Sequence, residues 1–361
     1  MTDSSDDHLK PLVTKGHTSA VRVADDWYVL CQSGNLGNKP LALTLFGTPL
    51  VLFRTKSGTP AALLDRCPHR NTPLSLGNVK QETLQCSYHG WQFDALGECR
   101  AVPGLIGEAS SKGRHVPAYA VREQQGFIWV YATADVEPKQ MPFQFSFGRE
   151  NGYTEIIQEM EAEATVHAVA ENALDVPHTA YLHGGLFRST SGERREIEVR
   201  VQRSFDRVEA EYIGERRPSG LVGRILAPGG GEVTHIDRFI LPSIAQVEYR
   251  VGRSTHICVT TALTPVHDYR TKLFTVVSMH LPVPGWLVAP FVKPIGVRIF
   301  EQDAEMLKRQ TESIRQFGGE QFSSTEIDVL SSHIYRLLKQ AERGERNANE
   351  KPVNTTLRMI V

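Results

Sequence analysis

Cys67-Pro-His69-Arg-Asn-Thr-Pro and Cys86-Ser-Tyr-His89-Gly-Trp are the two stretches that decide how the N-terminal third of this sequence folds. They contain a Cys-x-His pair and, after sixteen intervening residues, a Cys-x-x-His pair. Two thiolates and two imidazoles could hold a tetrahedral zinc ion, but zinc sites usually group like residues together. Here each stretch supplies one residue of each type, which favours a two-iron cluster with both cysteines on one iron and both histidines on the other. Neutral imidazole ligands would raise the reduction potential of such a cluster.

The residues around these four ligands resemble the Rieske domain of the Rieske non-haem iron oxygenases. The resemblance implies a Rieske [2Fe–2S] cluster held by Cys67, His69, Cys86 and His89, with a zinc site as the alternative. The respiratory Rieske proteins carry one further cysteine in each cluster loop, and this sequence has neither. The matching positions are Cys67-Pro-His69-Arg, Pro73-Leu-Ser, Gly77, Cys86-Ser-Tyr-His89-Gly-Trp-Gln-Phe-Asp94 and Gly97.

Length and composition indicate an ordinary globular protein with more than one domain. A chain of 361 residues, 40% hydrophobic and 22% charged, can form two domains with separate cores. The net charge of −1 provides no global field that would attract nucleic acid or an anionic membrane. We expect a flexible N-terminus at 1–20, the Rieske domain at 21–135 and a second domain at 136–361.

Cysteine usage indicates a reducing compartment. Beyond the two cluster cysteines, Cys31, Cys99 and Cys258 form an odd and scattered set without a disulfide framework. The polar, acidic N-terminus lacks the apolar core of a signal peptide. The most apolar stretch, 281–300, contains four prolines and two basic residues, so we do not expect a membrane-spanning helix. We expect a cytoplasmic protein in which this stretch is a loop that covers the core, or a lid that touches lipid.

The distribution of apolar residues predicts an α+β fold. Short β-rich runs between Trp27 and Tyr131 predict an all-β first domain with the cluster ligands on loops. In the second domain, a helix at 165–175 is followed by strands with short connections, which predict an antiparallel sheet that helices could cross to enclose a cavity. His235 and His256, on two of these strands, could line it. The predicted strands are 196–203, 207–213, 235–241, 245–251, 256–263 and 272–280, and the predicted late helices are 297–317 and 325–343, before a β-like segment at 355–361.

A second metal site is predicted around His178 and His183. Residues five apart on an ideal helix point about 140° away from each other, so the helix must be irregular here. Pro177 supplies a reason, and a π-like bulge would bring the two rings closer. Two imidazoles and one carboxylate form the facial triad of a mononuclear Fe(II) centre, which leaves positions free for O₂ and substrate.

The carboxylate is predicted from the spacing of the late helix. Its inward stripe is predicted at positions 300, 303, 307, 310, 314 and 317, which includes Asp303. Glu301, Glu305 and Glu312 fall on the opposite face. A carboxylate turned inward needs a partner, which is a metal ion or, alternatively, a helix cap or an arginine.

The segment Asn172-x-x-Asp175-x-x-His178-x-x-x-x-His183 also resembles the iron motif of the same oxygenase family, as does Glu-Gln-Asp303. The resemblance implies a helix-grip catalytic domain, with iron bound by His178, His183 and Asp303 and with Asn172 beside it. It assigns Asp175 to a bridge between an iron-binding histidine and a cluster histidine of the neighbouring subunit. Alternatively, Asp175 caps the helix break at Pro177.

The resemblance as a whole implies the terminal oxygenase (alpha) component of a Rieske system, as a homotrimer. Such a component receives electrons from an NAD(P)H-linked reductase or a ferredoxin and uses O₂ to hydroxylate or oxidatively demethylate a small, apolar, cyclic substrate. Residues 44–53 and the helix after Trp286 resemble the family's single-subunit monooxygenases, of the aminopyrrolnitrin oxygenase and pheophorbide a oxygenase type, more than its ring dihydroxylases. The alternative is an electron-transfer or redox-sensing protein that uses only the first site.

Overall fold

The computed structural model describes residues 18–148, 152–184, 196–215, 232–252 and 254–360, and every structural statement below concerns these residues. They form two compact units, Ala24–Gln144 and a second that combines Phe145–Val361 with the chain up to Val23. The flexible segment expected at 1–20 lies outside the described residues except for its last three. Within those three, the hydroxyl of Ser19 hydrogen-bonds the hydroxyl of Thr165 at 2.8 Å.

The first compact unit differs at both ends from the predicted domain at 21–135. At its C-terminal end it continues to Gln144 because the chain packs back on the strands. The indole Nε1 of Trp27 donates to the carbonyl of Gln140 at 2.8 Å, and the Gln124 amide donates to the carbonyl of Phe143 at 2.9 Å. At the other end, residues 21–23 belong to the second unit, because Val21 and Val23 are buried in its core.

The first unit is all-β, as predicted, and every strand pairing in it is antiparallel. One sheet has six strands in the order β1-β10-β9-β4-β3-β2, and a second has four in the order β5-β6-β7-β8. The strands are β1 Trp27–Gln32, β2 Leu41–Leu45, β3 Thr48–Arg54, β4 Pro60–Leu64, β5 Asn78–Lys80, β6 Thr83–Gln85, β7 Gln92–Phe93, β8 Cys99–Ala101, β9 Ala118–Gln124 and β10 Phe127–Ala134.

Strand β3 separates two apolar cores in this unit. Its residues 50–53 are fully buried, and successive side chains of a strand point to opposite faces. Leu50 and Leu52 pack with the residues of one core, whereas Val51 and Phe53 pack with Cys67 and the other cluster-loop residues. A strand buried on both faces is a rigid base for the loops that carry the predicted cluster ligands.

The second unit contains the predicted antiparallel sheet, extended by one strand at each edge. The eight strands lie in the order β11-β17-β16-β15-β14-β13-β12-β18. The meander from β12 to β17 matches the six predicted strands, and β18 forms from the predicted β-like C-terminal segment. The strands are β11 Thr154–Ala162, β12 Glu196–Arg203, β13 Arg207–Ile213, β14 Val233–Ile240, β15 Ile244–Val251, β16 Thr255–His267, β17 Arg270–His280 and β18 Val353–Ile360.

Helices cover one face of this sheet. They are α1 Val166–Leu174, α2 Thr179–Leu182, α3 Gly285–Gln316 and α4 Ser331–Glu342. Helix α1 begins at a conventional cap, because the hydroxyl of Thr165 accepts the N–H of Ala168 at 3.1 Å. Its buried residues join those of α4 and the sheet in one core, while α3 packs along β11.

Helix α3 starts twelve residues earlier than the predicted 297–317, so the expectation of a proline-rich loop at 281–300 was wrong from Gly285 onward. Both internal prolines, Pro290 and Pro294, are exposed. On the solvent side, the carbonyls that a proline deprives of a donor can bond to water, so the helix can continue with a bend. None of the helices among the described residues is long and apolar enough to cross a membrane.

The predicted inward stripe of α3 was correct at positions 300, 303 and 307 and wrong at positions 310 and 317. Leu307 is buried, and Phe300 and Asp303 are partly buried, as expected. Gln310 and Phe317, however, are exposed, and Thr311 occupies the inward position instead. Thr311 is held there because its hydroxyl donates to the carbonyl of Glu163 at 2.7 Å. Phe317 follows the last helical residue and therefore leaves the face.

Candidate metal sites

The two loops of the first unit share one backbone geometry. In each loop the cysteine N–H donates to the carbonyl five residues later, and the cysteine carbonyl accepts the N–H four residues later. The residue at that fourth position has a left-handed backbone in both loops, Asn71 with φ 61° and Gly90 with φ 71°, which are residue types suited to it. The four bonds are Cys67 to Thr72 (2.9 Å), Asn71 to Cys67 (2.9 Å), Cys86 to Trp91 (2.8 Å) and Gly90 to Cys86 (3.1 Å).

These loops bring the four predicted cluster ligands together as two like pairs. The rings of His69 and His89 lie side by side with centroids 4.5 Å apart, and both cysteines are buried. The His69 Nδ1 is buried without a hydrogen-bond partner among the described residues. Burial raises the pKa of the Cys67 thiol to about 11, with the adjacent Cys86 contributing. Such a set fits a bound metal group, which would replace the thiol protons.

The grouping of the four residues into a cysteine pair and a histidine pair argues against the zinc alternative. A tetrahedral zinc ion would hold its ligand atoms about 3.3–3.8 Å from one another. Among the described residues, only one set of three or more histidine, cysteine or acidic side chains has all its ligand atoms within 4.8 Å, and that set lies in the second unit. The four residues therefore do not converge on a single ion, whereas a two-iron cluster needs its cysteine pair and its histidine pair on different irons.

The second site forms at a break between two helices. Helix α1 ends at Leu174, and Asp175 has an extended backbone with φ −90° and ψ 109°. Short helix α2 then lies between His178 and His183, which flank it at its two ends. The expected π-like bulge was therefore wrong: the chain stops and restarts. Val176 precedes Pro177, and a residue before proline is disfavoured in the helical region.

This break lets three ligand atoms converge. The Nε2 atoms of His178 and His183 are 3.3 Å apart. The Asp303 Oδ1, from α3, lies 3.5 Å from the first and 3.1 Å from the second. Metal–ligand bonds of about 2.1 Å at roughly right angles would separate the ligand atoms by about 3 Å, so the spacing suits a facial triad.

The electrostatics of the triad also fit a cation. Burial lowers the pKa of His178, but the carboxylates of Asp175 and Asp303 outweigh the burial and raise the pKa to about 9. Burial raises the pKa of Asp303, but its two histidine neighbours reverse this and lower it. Without a metal the site therefore retains a proton between imidazole and carboxylate, and a bound metal ion would take its place.

Two amide side chains orient the ligands. The Asn172 Nδ2 donates to Asp303 Oδ1 at 3.3 Å, beside the triad as the family resemblance implied. The Oε1 of Gln302 accepts the Nδ1–H of His183 at 3.0 Å, which leaves the Nε2 lone pair free for a metal. Sequence reasoning missed Gln302. Its only signal was its position next to Asp303 on a helix, where the neighbouring Glu301 is exposed.

Asp175 contacts His178 in two ways. Its Oδ2 accepts the backbone N–H of His178 at 3.2 Å, which is the geometry of a cap on the restarted helix. The same oxygen lies 3.3 Å from the Nδ1 of the His178 ring. The Asp175 side chain is 31% exposed, so part of the carboxylate reaches the surface.

An apolar cavity opens at the triad. It has a volume of about 280 Å³ and is lined by α1, α3 and the inner face of the sheet. The two histidines and Asp303 are among its lining residues. The walls are mainly aliphatic, with Ile156, Val247, Val259, Val277 and Ile299 among the lining residues.

Comparison with known protein families identifies the family to which these two sites belong. Residues 162–344 match the family described as the vanillate O-demethylase oxygenase C-terminal domain, and residues 26–116 match the Rieske [2Fe–2S] domain. The chain belongs to the Rieske oxygenases. Members of this family carry a Rieske cluster and a mononuclear iron, and the two sites of this oxygenase have the ligand types for both.

Individual relatives of this Rieske oxygenase agree with the family. The oxygenase component of dicamba O-demethylase from Stenotrophomonas maltophilia is 34% identical over 50% of this chain and 53% of the relative. The vanillate O-demethylase oxygenase subunit of a Pseudomonas strain is 24% identical over 89% of this chain and 95% of the relative. The crystal structure of dicamba monooxygenase bound to dicamba has the same fold, with a TM-score of 0.76 at 24% identity over 90% of this chain and 99% of that one. The chain spans about half the length of the first curated relatives that it matches.

A buried charge cluster lies in the sheet wall of the oxygenase's cavity. The Nδ1 of His235 is 2.6 Å from Glu215 Oε2, and its Nε2 is 2.9 Å from Asp237 Oδ1. Tyr212 and Tyr249 stack on its two faces, with centroids 4.5 and 4.0 Å away. Burial lowers the pKa of His235, but the two carboxylates raise it to about 9, which favours an imidazolium between two aromatic rings. The expectation that His235 lines the cavity is thus met, whereas His256 is not among the lining residues.

Proposed function

We propose that this chain is the terminal oxygenase component of a Rieske system, which uses O₂ and electrons from an NAD(P)H-linked reductase or a ferredoxin. The reaction is hydroxylation or oxidative demethylation of a small, apolar, cyclic substrate. The observation that carries the proposal is the opening of the His178, His183 and Asp303 triad into an aliphatic cavity. A pure electron carrier has no use for such a cavity beside a second metal site.

The residues of this chain have distinct roles in the proposed reaction. When bound, the cluster would supply electrons and the mononuclear iron would supply O₂ activation. Cys67, Cys86, His69 and His89 would hold the cluster. His178, His183 and Asp303 would hold the iron, and all three side chains line the cavity that would receive the substrate. The aliphatic walls exclude water and keep the substrate near the metal.

We further propose that the oxygenase assembles as a homotrimer, in which Asp175 links the iron site of one subunit to the cluster of the next. A carboxylate that is partly exposed and in contact with the His178 ring is suitably placed for this role. It would accept an N–H hydrogen bond from an imidazole on each side and so hold both rings in a defined tautomer. We place the protein in the cytoplasm, because cysteines without disulfide partners suit a reducing compartment.

The substrate class can be narrowed for the first assays. The two relatives named above are demethylases by name, and the cavity of about 280 Å³ lies near the lower end of small-ligand sites. We therefore expect a molecule of one or two rings with a methoxy or N-methyl group, or a ring carbon to be hydroxylated. A panel of such compounds, with a surrogate reductase, should give product together with formaldehyde whenever a methyl group is removed.

Metal content separates an oxygenase from an electron carrier. We expect about three irons per chain, two in the cluster and one in the triad. Asp303→Ala should lose one iron and all turnover but keep the visible spectrum of the cluster. Glu305→Ala, on the exposed face of the same helix, should keep all three. Two irons in the wild type, unchanged by Asp303→Ala, would identify the chain as a carrier.

A further inference from the structure

The first half of α3 is apolar on both of its faces. Val292, Ile295 and Ile299 face inward, where they line the cavity. On the outward face, Trp286 is 69% exposed, Phe291 is 65% exposed and Leu287 is about half exposed, as is Val283 just before the helix. A surface helix ordinarily carries polar residues on its solvent side. An outward apolar face of this size therefore indicates a surface that makes contact with something else.

The charged residues within the segment 281–300 have one sign. Lys293 and Arg298 are exposed, and residues 281–300 contain no aspartate or glutamate. The second half of the helix is different: from Glu301 onward it contains both acidic and basic residues, some of them paired, as in the ion pair between Glu305 and Arg309. Within residues 281–300 the apolar face is thus combined with positive charge only, which is complementary to an anionic surface.

The geometry favours a lipid surface over a dry protein interface. Exposed tryptophan and phenylalanine beside basic residues are typical of helices that lie in the membrane interface. Residues 285–300 span about 24 Å, too short to cross a bilayer but long enough to lie along it. Pro290 and Pro294 offer no N–H to the carbonyls of the preceding turn, so these carbonyls need water or head-group donors. A hydrated head-group layer provides them.

We propose that the outer face of residues 283–298 docks on an anionic lipid surface, with Trp286 and Phe291 inserted among the head groups. The docking stands independently of the catalytic assignment. Given the proposed oxygenase function, the docked helix has a second consequence: its inner face is the wall of the cavity, so an apolar substrate dissolved in the lipid is delivered next to the active site.

The test is flotation of the full-length holoprotein with phosphatidylcholine vesicles, prepared with and without phosphatidylglycerol. We expect binding that is strongest with the anionic lipid and decreases with added salt. Trp286→Ser together with Phe291→Ser should weaken binding about tenfold or more. Neutralising Lys293 or Arg298 to Gln should weaken it about fivefold each, and only on anionic vesicles.

A matched control uses exposed apolar residues elsewhere in the same unit. Phe317 is 80% exposed and Phe322 is 55% exposed, so replacing both by Ser removes a similar apolar area from a different surface. This variant should bind vesicles like the wild type. Thermal unfolding shows whether each variant is folded. Turnover of a water-soluble substrate should not change in the Trp286 and Phe291 variants, so failure of the oxygenase assignment is separate from failure of the docking.

Three results would overturn the docking. The first is folded wild-type protein that does not float with either vesicle. The second is binding that is equal in the wild type and in the Trp286→Ser, Phe291→Ser variant. The third is a concentration-dependent self-association, measured by sedimentation, that the same two substitutions abolish, because the face would then be an interface between copies of this chain.

Discussion

At the scale of single residues, the triad depends on neighbours that are not ligands. Gln302 holds the Nδ1–H of His183, and Asn172 holds Asp303. Each of these two ligands therefore has a second contact that sets its orientation before a metal arrives. The sequence pattern predicted the candidate ligands because a metal site requires particular residue types. It could not identify Gln302, because a glutamine on a partly polar helix has no distinctive pattern.

The role of Gln302 gives a testable prediction. Gln302→Leu should reduce iron affinity about 10–100-fold while leaving the cluster spectrum intact, since the His183 ring loses the acceptor that fixes its tautomer. Iron titration of the metal-depleted protein measures this, and Gln302→Glu should restore affinity because it keeps an acceptor. Gln310→Leu, on the exposed face of the same helix, is the matched control. Equal iron affinity in the Gln302→Leu variant and the wild type would show that the contact does not position His183.

His235 gives a prediction about pH and stability. Its pKa is raised to about 9, so the folded state binds this proton more tightly than the unfolded state does. The stabilisation is complete below the ordinary histidine pKa of about 6.5 and is lost as the pH rises through about 9. We expect the second unit to lose about 1–3 kcal/mol between these limits. Thermal unfolding at a series of pH values measures the loss.

Three variants test whether His235 causes this pH effect. His235→Gln should remove the decline between pH 6.5 and 9, whatever its own effect on stability, whereas His280→Gln, on an exposed side chain, should keep it. Asp237→Asn should shift the decline to lower pH, because one of the two carboxylates that hold the proton is neutralised. A decline that persists in His235→Gln would assign it to another group.

At the scale of elements, the strands were the most predictable part of the fold. Strands β12 and β13 begin and end at the predicted residues, because their apolar and polar residues alternate against a single buried face. Strand β11 was not predicted, although it forms an edge of the sheet. Its outward residues are mostly acidic, and Glu159 and Glu161 are balanced by Lys272 and Arg270 from the neighbouring strand. These ion pairs cannot be predicted before the pairing of β11 with β17 is known.

The helices were harder to predict because tertiary contacts decide where they begin and continue. The sequence showed that Pro177 must disturb the helix between the two histidines, but whether by a bulge or by a complete break depends on what packs around it. Likewise, the prolines of α3 suggested a loop. They are accommodated because both lie on the exposed side, a property that spacing alone did not reveal.

The break at Pro177 leads to an element-scale prediction. Pro177→Ala should allow α1 to continue toward His178, which would rotate the two histidines away from each other. We expect iron affinity to fall about tenfold with little change in the cluster spectrum. Pro294→Ala, at an exposed helical position, should leave iron binding unchanged. Iron content after dialysis against a weak chelator separates the two variants. Full iron retention in Pro177→Ala would mean that the break is held by other contacts.

At the scale of the whole molecule, the two metal sites lie in different compact units of one chain. Electron transfer needs a short path between metals, and the chain between His89 and His178 is long. A head-to-tail ring satisfies this requirement, because each heterologous interface can place the cluster of one subunit beside the iron of the next. In such a ring, a carboxylate that connects the two sites must reach the surface of its subunit. Asp175, which contacts His178 and is partly exposed, meets this requirement.

Subunit mixing tests this arrangement. His69→Ala chains lack a sound cluster and His178→Ala chains lack a sound iron site, so each should be inactive alone. In mixed oligomers of a ring, some sound clusters adjoin a sound iron on the next chain, and we expect a measurable fraction of wild-type turnover. Asp175→Asn mixed with His178→Ala should restore little, because Asp175 lies beside the iron of its own chain and every iron site keeps one lesion. Size-exclusion chromatography confirms that the oligomers re-form. If the His69 and His178 mixture re-forms oligomers but stays inactive, electrons pass within a single chain and the ring is excluded.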